Sequence, residues 1–196
     1  MKRTIREYIE ILVEHEIVRR YVLINSFDGA LTVLGIILAE FFSKITDPTL
    51  IILPGLGAAI AMCVSGIWGA YSAERAEIKK SIRSLEAHLL KDLTGTQFQR
   101  KRQKMAIIIG FVDGMSPLLV SLLILIPFFM AHGGLLAVTT AYWISFIIAA
   151  SILFLLGALA GRIAKESIFR NGLMMLVAGI VIAIVFLVLI YTGMIN

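Results

Sequence analysis

Long apolar blocks alternate with short polar ones along this chain. Five blocks, residues 22–42, 50–73, 105–130, 136–160 and 172–191, reach the roughly 20 residues that a helix needs to cross a bilayer. Inside them the polar positions are sparse and periodic. In the first, Asn25, Asp28, Thr32 and Gly35 recur at helical spacing and draw one polar, small-residue stripe on an apolar cylinder. In the second, Gly57, Ala61, Ser65, Gly66, Gly69 and Ala73 make a face that another backbone can approach closely. Gly110, Asp113, Gly114, Pro117 and Ser121 form a stripe in the third, where Pro117 loosens the helix beside the acid. Gly157 and Gly161 end the fourth as a close-packing pair, and the fifth, without interior charge, reads as a structural helix closing the bundle. The pattern predicts an all-α integral membrane protein with five transmembrane helices.

The polar segments predict helix as well. Over residues 4–18, Ile5, Tyr8, Ile9, Leu12 and Val13 share one face, and Glu7, Glu10 and Glu14 the other, as in an amphipathic helix lying on a membrane surface. Residues 1–20 are therefore expected as an interfacial helix and 21–196 as the membrane domain, with 74–104 a cytoplasmic helical connection. In that connection Ile78, Ile82, Leu85 and Leu89 line up, with Glu74, Glu77, Glu86 and His88 around them, and a stop is expected at Thr94-Gly95. Asp47-Pro48 and Pro54-Gly55 read as breakers before the second span. Asp28-Gly29 recurs 85 residues on as Asp113-Gly114, and Gly69-Ala70 recurs 88 residues on as Gly157-Ala158. Such spacing suggests a 2+2 parallel internal repeat followed by a fifth helix.

Composition excludes a soluble globule: 59% of residues are hydrophobic and 16% charged, more apolar surface than a domain of this length hides from water. Lys2, Arg3, Arg6, Arg19 and Arg20, the basic residues from Arg75 to Lys104, and Arg162, Lys165 and Arg170 all fall on one side of the spans, against Lys44 on the other. That side is then cytoplasmic, with the N-terminus inside and the C-terminus outside. The net charge of +5 reflects this topology and contact with the anionic inner leaflet, not nucleic acid. Cys63, the single cysteine, sits inside a span, so no intrachain disulfide or thiolate zinc site follows. The first twenty residues lack the compact apolar core of a cleavable signal peptide. With no nucleophile elbow, histidine pair or phosphate loop, neither an enzyme nor a permanently bound cofactor is expected.

Candidate chemistry centres on Asp28. An ionisable group at that depth is costly and usually faces a wet cavity or protein interior where it handles ions or protons, the alternative being a structural acid bonded to a neighbouring helix. The repeat places Asp113 at an equivalent depth. Met62 offers a soft thioether on the edge of the second stripe. Glu74 and Glu77, at i and i+3, either share a divalent cation or belong to an ordinary charged surface. Glu10, Glu14, His15 and Glu16 read better as a solvated face than as metal collectors.

In order along the chain, RYVLINSFDGALT from Arg20, SGIWGAYSAERAE from Ser65, LIPFF from Leu125, and a Gly-Ala-x-x-Gly-Arg turn with a terminal Tyr-Thr-Gly between Gly157 and Gly193 resemble the signatures of the vacuolar iron transporters. The resemblance implies a five-helix homodimer that exports ferrous iron, or manganese, from the cytosol in exchange for protons. It implies a pathway between protomers lined by Asp28 and a second-helix methionine, and glutamates that gather metal in the cytoplasm, matched here by Glu74 or Glu77 and Glu86. Asn25, Met62, Ser65 and Asp113 are the supporting groups. The chain departs from the pattern where the family methionine falls on Gly66 and the glutamate of its Gly-Glu-Tyr variant on Ala70; Met62 and Met115 are the nearby substitutes. Its cytoplasmic segment is also shorter and more basic. A multi-pass protein of the cell membrane, or of a vacuole-type membrane in a eukaryote, is expected. The competing readings are a non-transporting scaffold of the same fold, and a transporter of another small cation or polar solute.

Overall fold

Apolar runs without interior breaks should fold as uninterrupted helices, because in hydrocarbon every backbone N–H and C=O must be paired within its own segment. The computed structural model describes residues 16–89 and 97–192, and among them the chain forms α1 (Glu16–Phe42), α2 (Pro48–Leu89), α3 (Gln97–His132), α4 (Val138–Ala164) and α5 (Ile168–Tyr191), with no strand. All five are long and apolar enough to span a membrane. Large apolar side chains stand on their outer faces, among them Trp68 at 74% exposure and Ile147 at 65%. A surface of this kind suits lipid rather than water. The protein is a multi-pass integral membrane protein. Most of the residue 4–18 segment and Thr94-Gly95 lie outside the described residues.

One boundary differs from the sequence pattern. Pro54 and Gly55 do not break the chain; they lie inside α2, which begins six residues earlier at Pro48. Asp47 precedes it as a cap, its Oδ1 accepting from Thr49 N at 2.8 Å, and Pro48 supplies a first helical residue that has no N–H to satisfy. The Thr49 backbone and hydroxyl hydrogen bonds hold the Asp47 carboxyl below its ordinary value. Gly55 serves packing instead: a Cβ there would meet both Leu125 methyls at 2.9 Å. At its other end α2 runs unbroken past the second span to Leu89.

The chain folds as two compact units. The second, residues 26–61 and 117–196, holds the larger core, where Val33, Ile37, Ile51, Ile124, Leu125, Phe128 and Leu153 are almost wholly buried. Its buried polar groups find carbonyls: Ser145 Oγ donates to Ile124 O at 2.8 Å and Tyr142 Oη to Ile45 O at 3.0 Å. Gly157 and Gly161 do form a close-packing pair. Their bare Cα atoms receive Asn171 at the start of α5, where a Cβ on Gly157 would stand 2.3 Å from Asn171 O. Lys165 in the left-handed conformation and Ser167 capping Arg170 N make the turn. Beyond it α5 buries only Gly172 and Gly179, so it closes the bundle along one narrow edge.

The first unit, residues 1–25 and 62–116, is built on the crossing of α2 and α3. Gly110 and Gly114, four apart, meet the backbone of α2 directly: a Cβ on Gly110 would stand 2.8 Å from Ile67 O, and one on Gly114 2.2 Å from Cys63 O. Small clusters flank the crossing, Val18 with Ala70 and Ile109, and Ile78 with Ile82 and Ala106. The two copies of Asp-Gly do the same local job. In the second unit a Cβ on Gly29 would stand 2.7 Å from Pro117 Cα, so each acid is followed by a glycine that seats a helix crossing. Each compact unit nevertheless draws on both halves of the sequence.

Candidate functional site

The α2–α3 crossing fixes Asp113. Gly114 presses α3 against Cys63 and Ile67, and from α2 the position facing the acid is Gly66, whose Cβ would lie 2.8 Å from Gly114 Cα and 3.2 Å from Asp113 Oδ2. The carboxylate therefore lies over the bare Cα of Gly66. From α1, Asn25 donates through Nδ2 to Asp113 Oδ1 and to Tyr21 O at 3.0 Å. Asp113 is only 6% exposed. Its hydrogen-bond partner is a neutral amide, and among the described residues no cation pairs with it. A buried carboxylate held by neutral groups can take up either a proton or a cation, since each removes the uncompensated charge. One turn on, Ser116 Oγ donates to Val112 O at 2.6 Å and stays within its own helix.

Asp28 is in the second unit and is exposed, as is Thr32. Among the described residues its carboxylate has no hydrogen-bond or ion-pair partner. Its neighbour Gly29 is covered by Pro117, and Gly29 O accepts from Ser121 Oγ at 3.5 Å. The small-residue face of α2 is only partly used. Gly66 is packed, whereas Gly57 and Gly69 are exposed with nothing within 4 Å of a Cβ, and Ala61, Ser65 and Ala73 are exposed too. Met62 and Met115 are half-buried. Glu74 and Glu86 are half-buried, Glu77 is exposed, and no three His, Cys, Asp or Glu side chains gather among the described residues. Of the predicted set, then, Asn25 and Asp113 meet, and the three glutamates form no common cluster. The role of Gly66 as the floor under Asp113 went unread in the sequence. Its signal was the Gly110-x-x-x-Gly114 spacing, which marks a crossing without saying which residue it faces.

A family profile matches residues 76–190, and it is that of the VIT family. The chain belongs to the VIT family. Family membership, on the resemblance already described, makes it a membrane protein of metal or other cation transport. It is also 33% identical, over 168 residues covering 84% of either chain, to an uncharacterized protein of Methanocaldococcus jannaschii. No solved structure matches it. The matched residues include Glu77, Glu86 and Asp113 and begin after Asn25, Asp28, Met62, Ser65 and Glu74. At Gly66, where the resemblance sets the VIT methionine, no side chain fits, because Gly114 and the Asp113 carboxylate already fill that space.

Proposed function

We propose that this VIT protein exports a divalent metal, Fe2+ or Mn2+, from the cytosol in exchange for protons, with Asp28 as principal ligand and proton-exchange group. The observation that carries the reading is an exposed carboxylate on a membrane-spanning helix, without a partner among the described residues. Facing lipid it would be costly; facing water or a second copy of the chain it is a ligand. A carboxylate suits both halves of the exchange, because binding metal requires its deprotonation. Asn25 and Asp113 supply a second polar station, with Met62 and Ser65 as further donors. Glu74, Glu77 and Glu86 collect metal on the cytoplasmic side. A homodimer is part of this reading: Asp28 and the open glycines Gly57 and Gly69 are each exposed.

The test is metal flux in proteoliposomes across a panel of divalent cations, with a pH dye inside. Coupled, opposite movement of Fe2+ and protons is the expected result. The scaffold reading is favoured by one observation, the absence of any three-ligand cluster among the described residues. A wild type that moves no divalent cation would refute metal export and favour the scaffold.

A further inference from the structure

On the basic side of the membrane the first unit holds a groove walled mainly by cationic side chains. Past its span, α2 carries Arg75, Lys79 and Arg83 one turn apart, which aligns them on one face. The three line a cavity of about 240 Å3 together with Gln103 of α3, and Glu86 is the one carboxylate among its described walls. A second cavity of about 310 Å3 shares Arg75 and Gln103 with the first and continues between Tyr71 and Ile107. The groove is therefore cationic at one end and apolar at the other. It changes character at Gln103, where the membrane-spanning part of α3 begins. Ile107, at the apolar end, is 60% exposed.

Three cations against one carboxylate favour an anion as the occupant of this groove. A free phosphate would use the cationic end alone. We propose that the groove binds one anionic phospholipid from the leaflet on that side. Arg75, Lys79 and Arg83 hold the headgroup phosphate, the two guanidiniums in bidentate fashion and the ammonium as a point charge. The first acyl carbons run along Tyr71 and Ile107. Polybasic segments beside a membrane helix attract such lipids generally; here the row of charges is joined to an apolar channel at the depth where the headgroup gives way to the chains.

Native mass spectrometry of the full-length protein, titrated with phosphatidylglycerol or phosphatidylcholine, tests the site. The wild type should retain one phosphatidylglycerol at concentrations where phosphatidylcholine is not retained. At about fivefold per cation lost, R75Q/K79Q/R83Q should weaken that retention roughly a hundredfold, while melting as the wild type does in phosphatidylcholine nanodiscs. Gln103→Trp keeps every charge but fills the junction of the two cavities, and should lose the lipid as well. R162Q/K165Q/R170Q removes as much charge from the exposed α4–α5 turn and should keep it. Equal loss in the two triple variants, or equal retention of the two lipids, would overturn the proposal. So would displacement of phosphatidylglycerol by millimolar inorganic phosphate, which would identify a soluble anion as the occupant.

Discussion

Replacing Gly114 by Ala adds one methyl at the tightest point of the α2–α3 crossing. That methyl would stand 2.2 Å from Cys63 O, 2.6 Å from Ile67 Cγ1 and 2.9 Å from Ile67 N, where ordinary contacts begin at 3.4 Å. Two of the three atoms are backbone, so no rotamer change relieves them, and the helices must part by roughly 1 Å. Overpacking of this kind costs about 1–3 kcal/mol, and the rigid neighbours put it near the upper end. Alanine returns up to about 1 kcal/mol as a better helix former than glycine, leaving a net loss of about 2 kcal/mol. At roughly 2–4 °C per kcal/mol for a chain of this size, Tm should fall by about 4–8 °C. Gly69→Ala is the matched control: nothing lies within 4 Å of its Cβ, so the propensity gain stands alone and Tm should hold or rise by a few degrees. Thermal melts of both purified variants in one detergent decide the matter. A Gly114→Ala protein that melts at or above the wild type would refute the crossing.

Other substitutions probe the same structure. Asn25→Leu removes the partner of Asp113 and should cost about 1–3 kcal/mol or more for a stranded carboxylate, whereas adding Asp113→Leu should recover most of it; a double variant no more stable than the single one would count against the pairing. Gly69→Leu should leave the protomer's melting point unchanged yet reduce cross-linked dimer, and Gly29→Leu should unfold the protomer itself, since Pro117 occupies its side-chain space. Asp47, outside the spans, has a carboxyl held below its ordinary 3.8 by Thr49. Its contribution is therefore present above that value and lost as pH falls through the lower folded value. Asp47→Asn should remove that acid-side slope, and melts between pH 5 and pH 2 that superimpose on the wild type's would dismiss the cap.

The spans were legible because apolar length is a one-dimensional property, and Pro54-Gly55 shows where that reading fails. Proline and glycine break helices in water, but within a membrane helix the neighbouring elements compensate, and Gly55 is needed against Leu125. Periodicity also placed Asn25, Asp28, Asp113 and the glycines on stripes, but a stripe does not say what fills it. Gly29 and Gly69 looked alike in sequence; one lies under Pro117 and the other is open. Gly66 read as a lost methionine, whereas it is the space that Asp113 takes. Which helix meets which depends on contacts as far as 97 residues apart, which no local pattern encodes.

The central claim is that a carboxylate at position 28 alternately holds metal and proton. Asp28→Asn keeps the shape and hydrogen bonding and removes only the charge and the titratable proton. Because Asp28 is exposed and has no partner among the described residues, that change should leave expression and melting as they are. Metal flux and the coupled pH change in proteoliposomes should fall to the level of empty vesicles. Metal-for-proton exchange at the wild-type rate by Asp28→Asn would contradict the account.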